Sequence, residues 1–117
     1  MPENFDVVII GGGPAGYAAA LYGASAGLSI ALIEKHRIGG TCLNVGCIPA
    51  KELLETASVR RAIEGAAAFG LTTSEPELDF SVTQARKQGV VDGLIGGLTG
   101  LLKKRKVTVY DGIGTLG

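Results

Sequence analysis

The order of hydrophobic and polar positions divides the chain into alternating short apolar runs and longer helical periods. Residues 5–10, Phe-Asp-Val-Val-Ile-Ile, form a β-branched run that predicts a buried parallel strand. Residues 29–33, Ser-Ile-Ala-Leu-Ile, predict a second buried strand ending at Glu34. Between them, Pro14 to Ala26 is rich in small residues (Ala15, Ala18, Ala19, Ala20, Ala24), which predicts a helix packed closely on the strands. Pro14 suits the first turn, where no amide donor is lost, and Gly27 suits the C-terminal cap. No charged residue occurs from Val7 to Ile33, a length that hydropathy alone would assign to a membrane helix. Six interrupting glycines and Pro14, with Asp6 and Glu34 at the ends and nothing basic before them, argue against that assignment.

Further on, residues 52–69 predict an amphipathic helix with Leu53, Leu54, Ala57, Ile63, Ala66 and Ala67 near one face, ended by Gly70. Residues 71–79 are polar, contain Pro76, and predict a loop. A second long helix is predicted from about Phe80 to Lys104, where Val91, Leu94, Ile95, Leu98, Leu101 and Leu102 recur at threes and fours. Gly93, Gly96, Gly97 and Gly100 inside it each cost about 1 kcal/mol relative to alanine, which predicts close approach by another helix or a partner subunit. The run Lys103–Lys106 reads as a solvated helix end with cations at the negative dipole pole rather than a nuclear signal. Val107–Tyr110 predicts a third strand, with Gly112 and Gly114 allowing close backbone approach after it. The fold class is therefore α/β: a Rossmann-like βαβ unit with a parallel sheet and two long helices. A three-stranded sheet open at one edge predicts marginal stability.

Composition narrows the function. The chain has 117 residues, 11 basic against 11 acidic, so no broad field attracts nucleic acid or anionic membrane. With 46% hydrophobic and 19% charged residues it is globular, and without a visible secretory signal it is expected in the cytoplasm. A cysteine pair there is more often catalytic than structural. Glycine is the anomaly, at 19 residues against the usual ~7%.

Gly11-Gly12-Gly13-Pro14-Ala15-Gly16 fits G-x-G-x-x-G and stands between strand and helix. Gly11 would permit the tight turn, Gly13 would let a pyrophosphate approach, and Gly16 would let the helix pack on the strand. Glu34 lies at about the distance, ~20 residues on, expected of the acid that binds a ribose hydroxyl, and its charge disfavours a 2'-phosphate. A P-loop is excluded because Tyr17-Ala18 follows where Lys and Ser/Thr are needed. The alternative is glycines serving packing alone.

Cys42 and Cys47 are the two cysteines, separated by Leu43-Asn44-Val45-Gly46. Their sulfurs can bridge only if the Cα atoms lie within ~7 Å. Five residues of regular helix rise ~7.5 Å, so a bridge requires a distorted turn, which Asn44-Val45-Gly46 could supply. A helix start at Pro49 would leave Cys47 at its positive end, where the thiol pKa falls, with Lys51 as a nearby cation. The plainer alternative is two reduced core cysteines. Zinc is disfavoured, since two cysteines and His36 do not supply four ligands.

Gly39 to Lys51, Gly-Gly-Thr-Cys-Leu-Asn-Val-Gly-Cys-Ile-Pro-Ala-Lys, resembles the redox-active signature of the pyridine nucleotide-disulfide oxidoreductases, and the combination with Gly11–Gly16 is highly specific. Within that family Leu43, Ile48, Gly96–Gly100 with Lys103–Val107, and Asp111–Gly114 resemble the branch that oxidises dihydrolipoyl groups. The resemblance covers essentially the whole chain. One departure is Ala50, where the family usually has serine; it keeps the helix and removes one hydroxyl.

The resemblance implies a redox disulfide between Cys42 and Cys47. It implies FAD held by Gly11, Gly13, Pro14, Ala15, Gly16, Glu34, Lys35, Gly40, Thr41, Cys42, Lys51 and Gly114, with NAD as co-substrate. Cys42 would be the interchange thiol, Cys47 the charge-transfer thiolate facing the flavin, and Lys51 a cation near flavin N5. The implied partners are the dihydrolipoyl group of a 2-oxoacid dehydrogenase complex or glycine cleavage system, and a second subunit in a homodimer. Mercuric and glutathione reductases share the signature and are the runner-up. His36 falls near the adenosine end and is not the expected base, which in the family is a histidine outside this sequence. Residues 1–117 are thus expected to be the N-terminal part of an FAD-binding domain, without the NAD-binding and dimerisation domains. A non-catalytic flavin-binding or thiol-switch module is the other reading.

Overall fold

The computed structural model describes residues 3–117. Strand β1 (Val7–Ile10) leads into helix α1 (Pro14–Ser25), strand β2 (Ile30–Glu34), the short helix α2 (Gly40–Asn44) and helix α3 (Cys47–Glu64). A 3-10 turn (Ala66–Phe69), helix α4 (Phe80–Lys104) and strand β3 (Thr108–Asp111) complete it. The sheet is parallel throughout, in the order β1-β2-β3, with Leu32 opposite Ile9 on one side and Val109 on the other.

The period-2 alternation of β2 decides the layers. Ile30, Leu32 and Glu34 point to the helical side, where Ile30 and Leu32 join Ala20, Leu102 and Val107 in the buried core, with Ile9, Leu21, Ala24, Ile38 and Leu98 against it. The predicted close packing of α1 is real: a Cβ on Gly23 would lie 2.8 Å from Ile30 Cδ1, and one on Gly16 would lie 1.7 Å from the Gly11 carbonyl oxygen. A second core cluster of Leu43, Val91 and Ile95 joins α2 to α4, with Tyr17, Cys42, Ile48 and Leu98 packed on it.

Three expectations are corrected, and a fourth is narrowed. β1 is not buried: β2 takes the centre of the sheet, and Val7, Val8 and Ile10 are exposed on an edge strand. The sheet is therefore open at both edges rather than one, and among the described residues no helix covers its opposite face, where Val8 is exposed and Phe5 packs edge-on against Tyr110. The amphipathic helix stops at Glu64 and continues only as the 3-10 turn; α3 has no buried residue, and Leu54 is 64% exposed. The glycines of α4 face open space, with no atom within 4 Å of a Cβ built at Gly93, Gly96, Gly97 or Gly100, so among the described residues no other helix approaches them, and approach by a partner subunit stays an expectation.

The radius of gyration is 20.0 Å, where a compact chain of this length would have about 13 Å. α3 and α4 pack on each other as a long hairpin, tied by an Arg86–Glu52 ion pair. Asp79 caps α4 by accepting from the Ser81 N–H at 3.0 Å. Lys103–Lys106 are exposed at the far end of α4, where Arg105 donates to Ser25 Oγ at 2.8 Å. Among the described residues no helix is long and apolar enough to cross a membrane.

Candidate redox and dinucleotide site

The site is assembled where β1, β2 and α2 meet the start of α1. Gly11 turns the chain at φ +102° and donates its N–H to the Ile33 carbonyl at 2.7 Å. Gly12 has no room for a side chain: its Cβ would lie 2.8 Å from Ile38 Cδ1 and 3.2 Å from Glu34 Oε2. The sequence reading passed over Gly12 as a free position of the motif, and only the tertiary contact identifies it.

Glu34 ends β2 with 9% of its surface exposed. Its Oε1 accepts from the His36 N–H at 2.9 Å and its Oε2 from the Gly12 N–H at 2.7 Å. These two donors, His36 first, hold its pKa below the ordinary glutamate value of 4.5 against the opposing effect of desolvation. Each carboxylate oxygen keeps a further lone pair for a ligand hydroxyl. His36 contributes its backbone here, and its side chain is exposed.

The chain then doubles back. Gly39 (φ +104°) donates its N–H to the Gly12 carbonyl at 2.8 Å, and Gly40 sits on Gly13 so closely that a Cβ on Gly40 would lie 2.6 Å from Gly13 Cα. Only glycine can make that crossing. It brings the cysteine segment against the glycine turn, from which α1 and β2 separate it in the chain. Arg37, exposed, bridges from this turn to Asp92 of α4 at 2.9 Å, a link the sequence reading did not foresee.

Cys42 and Cys47 form a disulfide with Cα atoms 4.6 Å apart. The distorted turn between them is the break from α2 to α3, through Val45 and the Gly46 N-cap. α3 begins at Cys47 rather than at Pro49, because Ala50 can donate to the Gly46 carbonyl at 3.0 Å while Pro49, still in the first turn, has no amide donor to lose. Cys47 is therefore the first helical residue, at the positive pole of an 18-residue helix, with Lys51 one turn on. Cys47 and Lys51 are exposed, while Cys42 is half-buried against the α2–α4 cluster.

The expected cofactor residues fall into adjoining places. Gly11, Glu34, Lys35 and Gly114 line a cleft of about 280 Å³, and Glu34, Lys35, Gly40 and Thr41 line one of about 420 Å³. Gly114 packs on β1, where its Cβ would lie 2.9 Å from Ile10 Cγ1. Gly13, Pro14, Ala15 and Gly16 form the start of α1, which no side chain caps. The first-turn N–H groups of a helix have no intrahelical partner and favour an anion. Uncapped donors, a glycine-lined crossing and an acid at the end of β2 suit a dinucleotide such as FAD. The cysteines and Lys51 line neither cleft. A further open cleft of about 470 Å³, lined by Ile63, Glu64, Ala67 and residues 70–76, contains none of the expected site residues.

Comparison with known proteins agrees with this geometry. A family profile described as pyridine nucleotide-disulphide oxidoreductase matches residues 5–116. The chain is 48% identical over 116 residues to a dihydrolipoyl dehydrogenase of Bacillus subtilis, covering 99% of this chain and 24% of that protein. It is 44% identical to that of Zymomonas mobilis and 47% identical to that of Chlamydia muridarum, again over 99% of this chain and 25% of each relative. It thus spans about a quarter of the length of these relatives. The fold, the disulfide and the profile agree: the chain belongs to the pyridine nucleotide-disulphide oxidoreductase family.

Proposed function

We propose that this chain is the flavin-holding, disulfide-bearing segment of a dihydrolipoyl dehydrogenase that acts in the cytoplasm. The observation that carries the proposal is the Cys42–Cys47 disulfide at the start of α3, docked on the glycine turn through the Gly40–Gly13 crossing. Gly11, Gly13, Pro14, Ala15 and Gly16 would hold the pyrophosphate of FAD, Glu34 its ribose, and Lys35, Gly40, Thr41 and Gly114 its flanks. Bound FAD would supply a two-electron acceptor for the reduced cysteine pair, with NAD+ as the terminal acceptor.

The thiol chemistry follows from the pair. A thiolate of the dihydrolipoyl group attacks the Cys42 sulfur, forms a mixed disulfide and expels Cys47 as thiolate. The second lipoyl thiol, as thiolate, attacks its own sulfur in the mixed disulfide and releases Cys42, so the lipoyl group is oxidised by two electrons and the cysteines are reduced. The positive end of α3 and the Lys51 cation favour the Cys47 thiolate as leaving group. The partner is the lipoyl group of a 2-oxoacid dehydrogenase complex or glycine cleavage system, and the working form is a homodimer.

The test is NAD+-linked oxidation of dihydrolipoamide by the protein expressed from its complete reading frame. Yellow protein, turnover, and a long-wavelength band on partial reduction that Cys47→Ser abolishes are expected. Turnover with glutathione disulfide or mercuric ion instead would move the assignment within the family. Absence of flavin and of all three activities would leave a thiol-switch module.

A further inference from the structure

Between the two cysteines stands a residue that the chemistry above leaves without a task. Asn44 is half-buried, and its Nδ2 donates to three backbone carbonyls: Gly40 at 2.9 Å, Ile38 at 3.2 Å and Arg37 at 3.3 Å. Three carbonyl oxygens can only accept, so the amide nitrogen, with two hydrogens to share, is the end that satisfies them. The Gly40 bond lies within α2. The other two reach back across the Gly39 hinge to the turn that leaves β2.

Within that turn the Gly40 N–H also reaches the Arg37 carbonyl at 3.3 Å. Gly39 N–H reaches the Gly12 carbonyl at 2.8 Å, and this bond, together with the Gly40–Gly13 crossing, holds the cysteine segment on the glycine turn. The Arg37–Asp92 bridge fastens the same turn from outside, but both its side chains are about half exposed and contribute little. Tyr17 and Ile38 add apolar contacts between these segments, while Asn44 supplies side-chain hydrogen bonds from the disulfide turn to the 37–40 turn that seats on the dinucleotide cradle.

We infer that Asn44 is a positioning residue: its amide sets the 37–40 turn so that Gly39 and Gly40 seat on Gly12 and Gly13 while Cys42 faces Cys47. A space-filling role would be served equally by aspartate, which has the same shape but no donor at neutral pH. The ligand arm of the inference rests on the FAD proposal; the other two arms do not.

The experiment compares this chain with Asn44→Ala and Asn44→Asp in three measurements. Amide hydrogen exchange by NMR follows Gly39, with Gly11, which bonds to the Ile33 carbonyl, as reference. Both variants should exchange Gly39 about tenfold faster with Gly11 unchanged, the scale of one lost hydrogen bond. Glutathione redox buffers should show the disulfide about tenfold less favoured, a midpoint about 30 mV higher. Titration with FAD, followed by flavin fluorescence, should show a Kd about tenfold weaker. An Asn44→Asp protein with wild-type Gly39 exchange and wild-type disulfide equilibrium overturns the inference. Equal acceleration at Gly11 and Gly39 also overturns it, because the amide would then support the whole fold. Wild-type chain with no affinity for FAD, but with the first two responses present, removes the ligand arm and leaves the positioning role standing, while the FAD proposal is decided by the flavin content of the protein from its complete reading frame.

Discussion

Replacing Glu34 by glutamine tests the electrostatic centre of the site. The carboxylate accepts two backbone N–H groups, from His36 at 2.9 Å and Gly12 at 2.7 Å. A carboxamide of the same shape keeps one of these bonds and turns its NH₂ toward the other donor. The variant loses one charge-assisted hydrogen bond and leaves a buried N–H unsatisfied, so Glu34→Gln should be destabilised by about 2 to 3 kcal/mol at neutral pH. In urea unfolding followed by circular dichroism, that lowers the midpoint by about 1 M for a chain of this size. The sign of the pH dependence follows from the same bonds. The folded-state pKa of Glu34 is held below 4.5, so its stabilisation is complete above about that pH and is lost as the pH falls through the folded value. A protonated glutamate has one donor and one acceptor oxygen, as glutamine has one donor and one acceptor end, so the two proteins should converge in acid. A difference that persists unchanged in acid, or one below about 0.5 kcal/mol at neutral pH, would refute the reasoning.

Gly16→Ala would place a Cβ 1.7 Å from the Gly11 carbonyl oxygen, so α1 must move off β1; a loss of about 3 kcal/mol is expected, and an unchanged thermal midpoint would contradict the packing. Reducing the disulfide, which closes a sequence separation of 5, should lower stability by about 2 kcal/mol in urea titrations run with and without dithiothreitol. Gly97→Ala meets open space in the interior of α4 and should raise stability by about 1 kcal/mol; a fall would show that a second surface packs there.

Much of the fold is legible in the residues themselves. The Val7–Ile10 and Ile30–Glu34 strands, the alanine-rich α1 between them and the 25-residue α4 follow from local periodicity, because apolar faces must be buried and small residues permit close packing. The glycine turn and the acid at the end of β2 were equally readable, since their backbone demands are written in residue type. The start of α3 was misplaced by two residues because proline is as comfortable at the third helical position as at the first.

Other features depend on residues far apart in sequence. Which strand is central was decided by β3 pairing with β2 rather than β1, and that left Val8 and Ile10 exposed although their run looks like a buried strand. The need for glycine at positions 12 and 40, and the donor role of Asn44, exist only once the chain has doubled back on itself. Residue type determined the elements and the chemistry that could be present, through short-range torsional and hydrophobic preferences. Tertiary structure alone decided which backbones meet, because a steric or hydrogen-bond demand between distant segments has no counterpart in either segment by itself.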